Sequence, residues 1–176
     1  MRCTKCNGLM ERTVKPEHVE DLGGIVVKVL NAVVVQRCSN CDEEMTGIPD
    51  MQGLARAAAM ARALNPARLC GKEVRFIRRA LDMTQKQFAE AMELSHEHVS
   101  RWENDHKGLG GAGEKLVRHN ACALLHREGI CEYDPKVIAN MRFKPAPENG
   151  LTPIEMVRVR IQHRTDDDES MWSEAA

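Results

Sequence analysis

Two cysteine pairs constrain this chain more than any other feature of its sequence. Cys3 and Cys6 open it in MRCTKCNGLM, and Cys38 and Cys41 repeat the spacing in RCSNCDEE. Two CxxC pairs can close a tetrahedral four-thiolate site, because the tight turn inside each pair aims both sulfurs at one point. After its second cysteine such a turn wants a residue that tolerates positive φ. Asn7 and Asp42 stand there, and they are among the few non-glycine types that visit that region at little cost. The 31 residues between the pairs exceed the usual spacing, and GIVVKVLNAVVVQRCSNC fills them with β-branched runs at 25–29 and 33–35. The break at Leu30-Asn31-Ala32 reads as a hairpin that returns the second pair to the first. Zn2+ held by four cysteines leaves no position open for water, so one zinc per chain would stabilise a fold and not catalyse. A thioredoxin-like redox pair is the competing reading; it wants its CxxC at the start of a helix in a βαβ unit, and no such pattern follows Cys6.

The seven cysteines are an odd number, which in a reducing compartment argues for metal or inert thiols over a disulfide framework. Cys70, Cys122 and Cys131 stand alone and are expected to be buried and inert. No apolar run approaches the roughly 18 residues of a spanning helix, and a polar cysteine knuckle stands where a secretory signal would place its apolar core, so a cytoplasmic protein without a membrane role is expected. Residues 66–130 carry 11 Lys/Arg against 9 Asp/Glu, so any nucleic-acid face must be local.

The expected fold class is α+β by separate domains: a small β-rich zinc-ribbon-like domain at 1–45, a helical connector at 46–68, an all-α domain at 69–130 and an irregular extension at 131–176. Asp50 can cap MQGLARAAAMARAL, and Asn65-Pro66 stops it. In MTQKQFAEAMELSHEHVSRWEND, Thr84 and Gln87 form a capping-box pattern, and Phe88, Ala89 and Met92 make an inner face. Glu93-Leu94 is a short turn, and Ser95 caps a second helix whose Val99 and Trp102 face the same core. Two short helices with a small residue at their crossing make a helix-turn-helix. KEVRFIRRAL, through Val74, Ile77 and Leu81, and GEKLVRHNACALL supply the helices that complete its core. IEMVRVRIQ alternates like a strand that would add to a partner or a dimer interface, and RTDDDESMWSEAA reads as a solvated acidic tail.

TQKQFAEAMELSHEHVSRWEN resembles the Xre/Cro family of helix-turn-helix regulators, with Gln85 opening the motif, Ala89 at the crossing, Leu94, Val99 and Trp102 in the core and Glu103-Asn104 at its end. Joined to the two CxxC pairs, residues 1–130 are similar to the zinc-finger/helix-turn-helix group of the MqsA antitoxin type. That resemblance implies an autorepressor that dimerises through its helix-turn-helix domain, binds operator DNA there and, in toxin-antitoxin pairs, holds an mRNA-cleaving toxin with the zinc domain. It also implies a phosphate contact for Gln85 and a structural ion pair between Arg78 and Glu103. Two departures stand out: Glu93 occupies the turn position usually held by Gly, and Cys70 replaces the usual Ser or Thr cap.

The recognition helix of such a unit enters the major groove by its N-terminal end. His96, Glu97, Ser100 and Arg101, on the side away from Val99 and Trp102, are therefore the candidate base readers. Arg101 can pair bidentately with guanine, and Glu97 can accept from cytosine. Glu97 and Arg101 are equally an i, i+4 ion pair on a solvated face. His98, His106, His119 and His126 show no metal-ligand spacing. Three functions fit: a homodimeric sequence-specific DNA-binding regulator of a palindromic operator, an antitoxin with a toxin protein as partner, or a thiol oxidoreductase. The last is weakest, since no nucleophile-base constellation or phosphate loop appears and no enzyme is expected. In the separate-domain arrangement, residues 66–130 would bind DNA without the zinc domain.

Overall fold

The valine-rich segment is a single strand. In the computed structural model, which describes residues 1–127, 133–148, 150–162 and 168–175, β2 runs unbroken over Val26–Cys38 and pairs antiparallel with β1, Met10–Asp21. The hairpin turn lies at Gly23-Gly24, and not at Leu30-Asn31-Ala32 as the sequence led us to expect. Asn31 instead marks a β-bulge. From Lys15↔Val33 to Glu17↔Leu30, β2 advances three residues while β1 advances two, and Asn31 adopts φ 51°. Pro16, which has no N–H to give to the ladder, stands opposite. The bulge turns Asn31 to solvent and keeps both Ala32 and Val33 buried. β1 is hard to read in sequence because MERTVKPEHVED carries the charges and the proline of an edge strand.

The other side of β2 is shared. β3, Glu44–Gly47, pairs antiparallel with residues 34–37, and β4, Ile154–Gln162, pairs parallel with residues 27–30. β5, Asp168–Glu174, continues beyond β4 and makes a five-stranded sheet. The strand foreseen in IEMVRVRIQ thus forms, and its partner is β2 of the same chain; Lys28 between Glu17 and Glu155 ties the three strands across one face. Asp168 and Glu169 of the acidic run belong to β5, while Asp166, Asp167 and Cys131 lie outside the described residues.

α1, Met51–Leu64, starts where expected, with Asp50 accepting from the Gly53 N–H at 3.0 Å. It is more than a connector. Leu54 and residues 57–63 are buried, and α1 packs against β4 and β5 and against α2, Gly71–Ala80, and α5, Gly110–Arg127. Its alanines let sheet and helices approach closely. One hydrophobic core joins Val27, Val29 and Val33 of β2 to Leu54 of α1, Ile77 of α2 and Val117 and Leu125 of α5. The β region with its cysteines precedes the helical region as expected, but the boundaries at 45 and 68 do not separate two cores. The extension joins in as well: Ile138 of α6, Pro135–Ala139, is buried, and Lys144 forms a β-bridge with Ala67.

α3, Gln85–Glu90, and α4, His96–Glu103, are the two helices of the helix-turn-helix. The Gln87 N–H donates to Thr84 Oγ1 at 3.2 Å and the Thr84 N–H to Gln87 Oε1 at 2.9 Å, completing the capping box. In the turn between them Glu93 sits at φ 54°, the left-handed region the usual glycine occupies without strain. Glu93→Gly is expected to stabilise the chain by about 0.5–1 kcal/mol, the strain relieved minus the extra entropy of an unfolded glycine. Urea unfolding of the two proteins checks this; a lower midpoint for the variant would show that Glu93 makes a compensating contact.

Candidate metal centre and nucleic-acid interface

The two CxxC turns are copies of one another. The Cys3 N–H donates to the Gly8 carbonyl and the Cys38 N–H to the Glu43 carbonyl, both at 2.9 Å. The Lys5 N–H points at Cys3 Sγ and the Asn40 N–H at Cys38 Sγ, both at 3.4 Å. Asn7 at φ 59° and Asp42 at φ 56° take the left-handed positions that the turn chemistry predicts for them. The four sulfurs converge within 4.8 Å of one another, with Cys3 to Cys41 at 3.6 Å and Cys6 to Cys38 at 3.5 Å. Tetrahedral thiolates about 2.3 Å from a metal stand roughly 3.8 Å apart, so the spacing suits an ion at the centre. Gly8, which sequence reasoning passed over, makes the closure possible: a Cβ there would lie 3.2 Å from both Cys6 Sγ and Cys38 Sγ.

The cluster is electrostatically divided. The Gly8 backbone N–H, with Cys41, Asn40 and Cys38, lowers Cys6 to about 6. Cys41, although the Glu43 N–H favours its thiolate, is pushed up to about 12 by Cys6, burial, Cys3 and Cys38. Thiols this close compete for negative charge, and a bound dication removes the competition by holding all four as thiolates. These four cysteines can bind a metal ion, and among the described residues they are the only group of three or more such ligands so gathered. Cys122 is buried as expected, whereas Cys70 is exposed at the start of α2.

The second site is the outer face of α4. His96, Glu97 and Arg101 are exposed and Ser100 half-buried, while Val99 and Trp102 are buried beneath them. Glu97 does not pair with Arg101. Its carboxylate stands 3.2 Å from His96 Nδ1, and the Ser95 hydroxyl, its own backbone N–H and His96 hold it below the usual carboxylate range. Arg101 has no ionic or side-chain hydrogen-bonding partner among the described residues, so the guanidinium is free to meet a ligand.

Beneath that face the base of α4 is pinned by charge. Glu103 is buried and receives Arg78 bidentately, Nε to Oε1 at 2.6 Å and Nη2 to Oε2 at 3.0 Å, with Arg75 Nε at 3.4 Å. Burial raises its carboxyl, but Arg78, Gln85 and Arg75 outweigh burial and hold it below the ordinary range. Gln85 Nε2 donates to Glu103 Oε2 at 2.9 Å, which turns the residue expected at a phosphate partly inward. Its amide nitrogen keeps a second N–H, so the inward bond and an outward contact are compatible.

Two residues near α4 were not legible as site residues. At Gly71 a Cβ would meet the Trp102 carbonyl oxygen at 2.6 Å, so only glycine lets α2 abut the end of α4. Asp105, at φ 56°, accepts the Gly71 N–H at 2.7 Å and caps α2 from outside, beside the capping box that Cys70 and Glu73 form there. The signal for Gly71 in sequence is weak: a glycine at a helix start is common for other reasons.

A helix-turn-helix family model matches residues 74–110, which are thus a helix-turn-helix domain of the Xre type. No curated protein and no solved structure matches the chain. Among the described residues no helix is long and apolar enough to cross a membrane.

Proposed function

We propose that this chain is a sequence-specific DNA-binding regulator, a homodimeric repressor acting on its own promoter, with a structural zinc ion and no catalytic activity. The observation that carries the reading is the free guanidinium of Arg101 on the exposed side of α4, a helix whose base is locked by Glu103 between Arg78, Arg75 and Gln85. A recognition helix needs both properties, reach toward base edges and a fixed orientation. In this reading His96, Glu97, Ser100 and Arg101 read bases, Gln85 contacts a phosphate, and two half-sites lie about one DNA turn apart. Cys3, Cys6, Cys38 and Cys41 suit zinc because soft thiolates in tetrahedral array select it.

Arg101→Ala is expected to weaken binding to the chain's own upstream DNA by roughly 5- to 150-fold, the value of one bidentate base contact, and to leave binding to random DNA little changed. Its thermal stability should match the parent's, because Arg101 holds nothing else in place. Titration of both DNAs at two salt concentrations tests this; undiminished operator affinity in the variant would remove α4 as the reading helix. An antitoxin role is a second reading. The outer edge of β1 is unpaired among the described strands and Val14 and Val19 are exposed on it, as a protein partner of the zinc-bearing sheet would need. Co-purification with a toxin encoded beside it separates the two.

A further inference from the structure

The cysteine site and the helix-turn-helix are the two ends of one series of rigid contacts. β2 ends at the buried Cys38, and its 13 residues extend over about 40 Å. Along that length it sends Val27, Val29, Ala32 and Val33 into the core that Val74, Phe76 and Ile77 of α2 share. At its other end the turn is tied down, with Asp21 Oδ1 accepting from the Gly23 N–H at 2.8 Å and the Gly24 N–H at 3.2 Å. That turn rests on α2 itself: a Cβ at Gly24 would lie 2.8 Å from the Lys72 carbonyl oxygen and 3.3 Å from Phe76 Cβ. From α2, Arg75 and Arg78 reach Glu103 at the base of α4. No flexible linker interrupts the series, because β2 and the helices share one core.

We propose that metal occupancy of the four-cysteine site sets the DNA affinity of the helix-turn-helix, which makes the chain a metal-responsive regulator; the proposal rests on the DNA-binding reading above. The bistable element is the β1–β2 hairpin. With an ion, the knuckles clamp the Cys38 end and the hairpin presents its turn to α2. Without one, no ion joins the knuckle at Cys3 and Cys6 to the knuckle at Cys38 and Cys41, the clamp opens and α2 loses its support on the Gly24 side. Coupling of this kind is reciprocal, so DNA must tighten metal binding by the same factor by which metal tightens DNA binding.

The test uses the full chain, zinc alone as the probe and the chain's own upstream DNA. Chelated protein is expected to bind that DNA about tenfold or more weakly, with loss of amide hydrogen-exchange protection in α2 and α4, and zinc re-addition restores both. A variant with Cys3→Ser and Cys41→Ser should behave as the metal-free form at every zinc concentration. Cys70→Ser, outside the cluster, should respond to zinc as the parent does. Equal affinity of loaded and metal-free protein, or unchanged protection in α2 and α4, overturns this proposal alone. Loss that zinc cannot reverse also overturns it, since the ion is then only a requirement for folding. A loaded protein that binds no DNA overturns the regulator reading and this proposal with it.

Discussion

Arg62→Met destabilises the chain by about 3–5 kcal/mol, the cost of leaving a buried charge without its partner. Arg62 lies in the middle of the core at 1 % exposure, where its Nε donates to Glu73 Oε1 at 2.6 Å and its Nη2 to Glu73 Oε2 at 2.9 Å. Its remaining protons satisfy the carbonyls of Ala67 at 3.0 Å and Arg68 at 2.9 Å. Methionine fills the volume but strands the Glu73 carboxylate, which then keeps only the Cys70 N–H at 2.8 Å. The double variant Arg62→Met with Glu73→Leu removes both charges and should recover most of the loss. Urea unfolding of the parent, the single and the double variant gives the answer. A single variant within 1 kcal/mol of the parent would mean that water or backbone motion solvates Glu73 and that the pair is no keystone.

Residues 66–130, expressed alone, do not fold cooperatively and do not bind the operator. This reverses the expectation drawn from the sequence, in which the helical region stood apart from the zinc domain. The fragment lacks α1, so Arg118, buried in the whole chain, loses the carbonyls of Arg62 and Ala63, to the latter of which it donates at 2.8 Å. It also loses Phe143, over whose ring the Arg118 guanidinium stacks at 5.3 Å. The apolar faces of Val74, Ile77, Val117 and Leu125 lose Leu54, the alanines of α1 and the strand β2 at the same time. Several fully buried side chains, each worth about 1.5–3 kcal/mol, exceed what a domain of this size holds in reserve. Circular dichroism melts and DNA titration of the fragment decide it. A sharp transition with full-chain affinity would restore two independent domains and would remove the basis for metal control of binding.

The features legible in the sequence were those that depend on a few neighbouring residues. The CxxC turns, the positive φ of Asn7 and Asp42, the Asp50 and Thr84 caps, and the spacing of Phe88, Ala89, Val99 and Trp102 are local chemistry, and each appears in the structure as read. The Arg78 to Glu103 pair also appears, from resemblance and not from spacing. What was missed depends on partners distant in sequence. MQGLARAAAMARAL reads as a connector because alanine suits any environment, and nothing within that window sets Arg62 apart from Arg56. Only Glu73 and the carbonyls of Ala67 and Arg68, brought back onto α1 from beyond its end, make Arg62 a buried residue.

The same holds for the sheet. A period of two announced a strand in IEMVRVRIQ, but the register of Val27 with Ile154 is a long-range choice between open edges of similar chemistry. By itself, then, the sequence determined that the chain carries a four-cysteine cluster and an Xre-type helix-turn-helix, because turn geometry and helical periodicity are written within a dozen residues of one another. Tertiary structure alone decided that the two share a core and that β4 closes it from the far end of the chain. Burial and strand pairing are properties of the surroundings a residue is brought into, and no short window of sequence contains them.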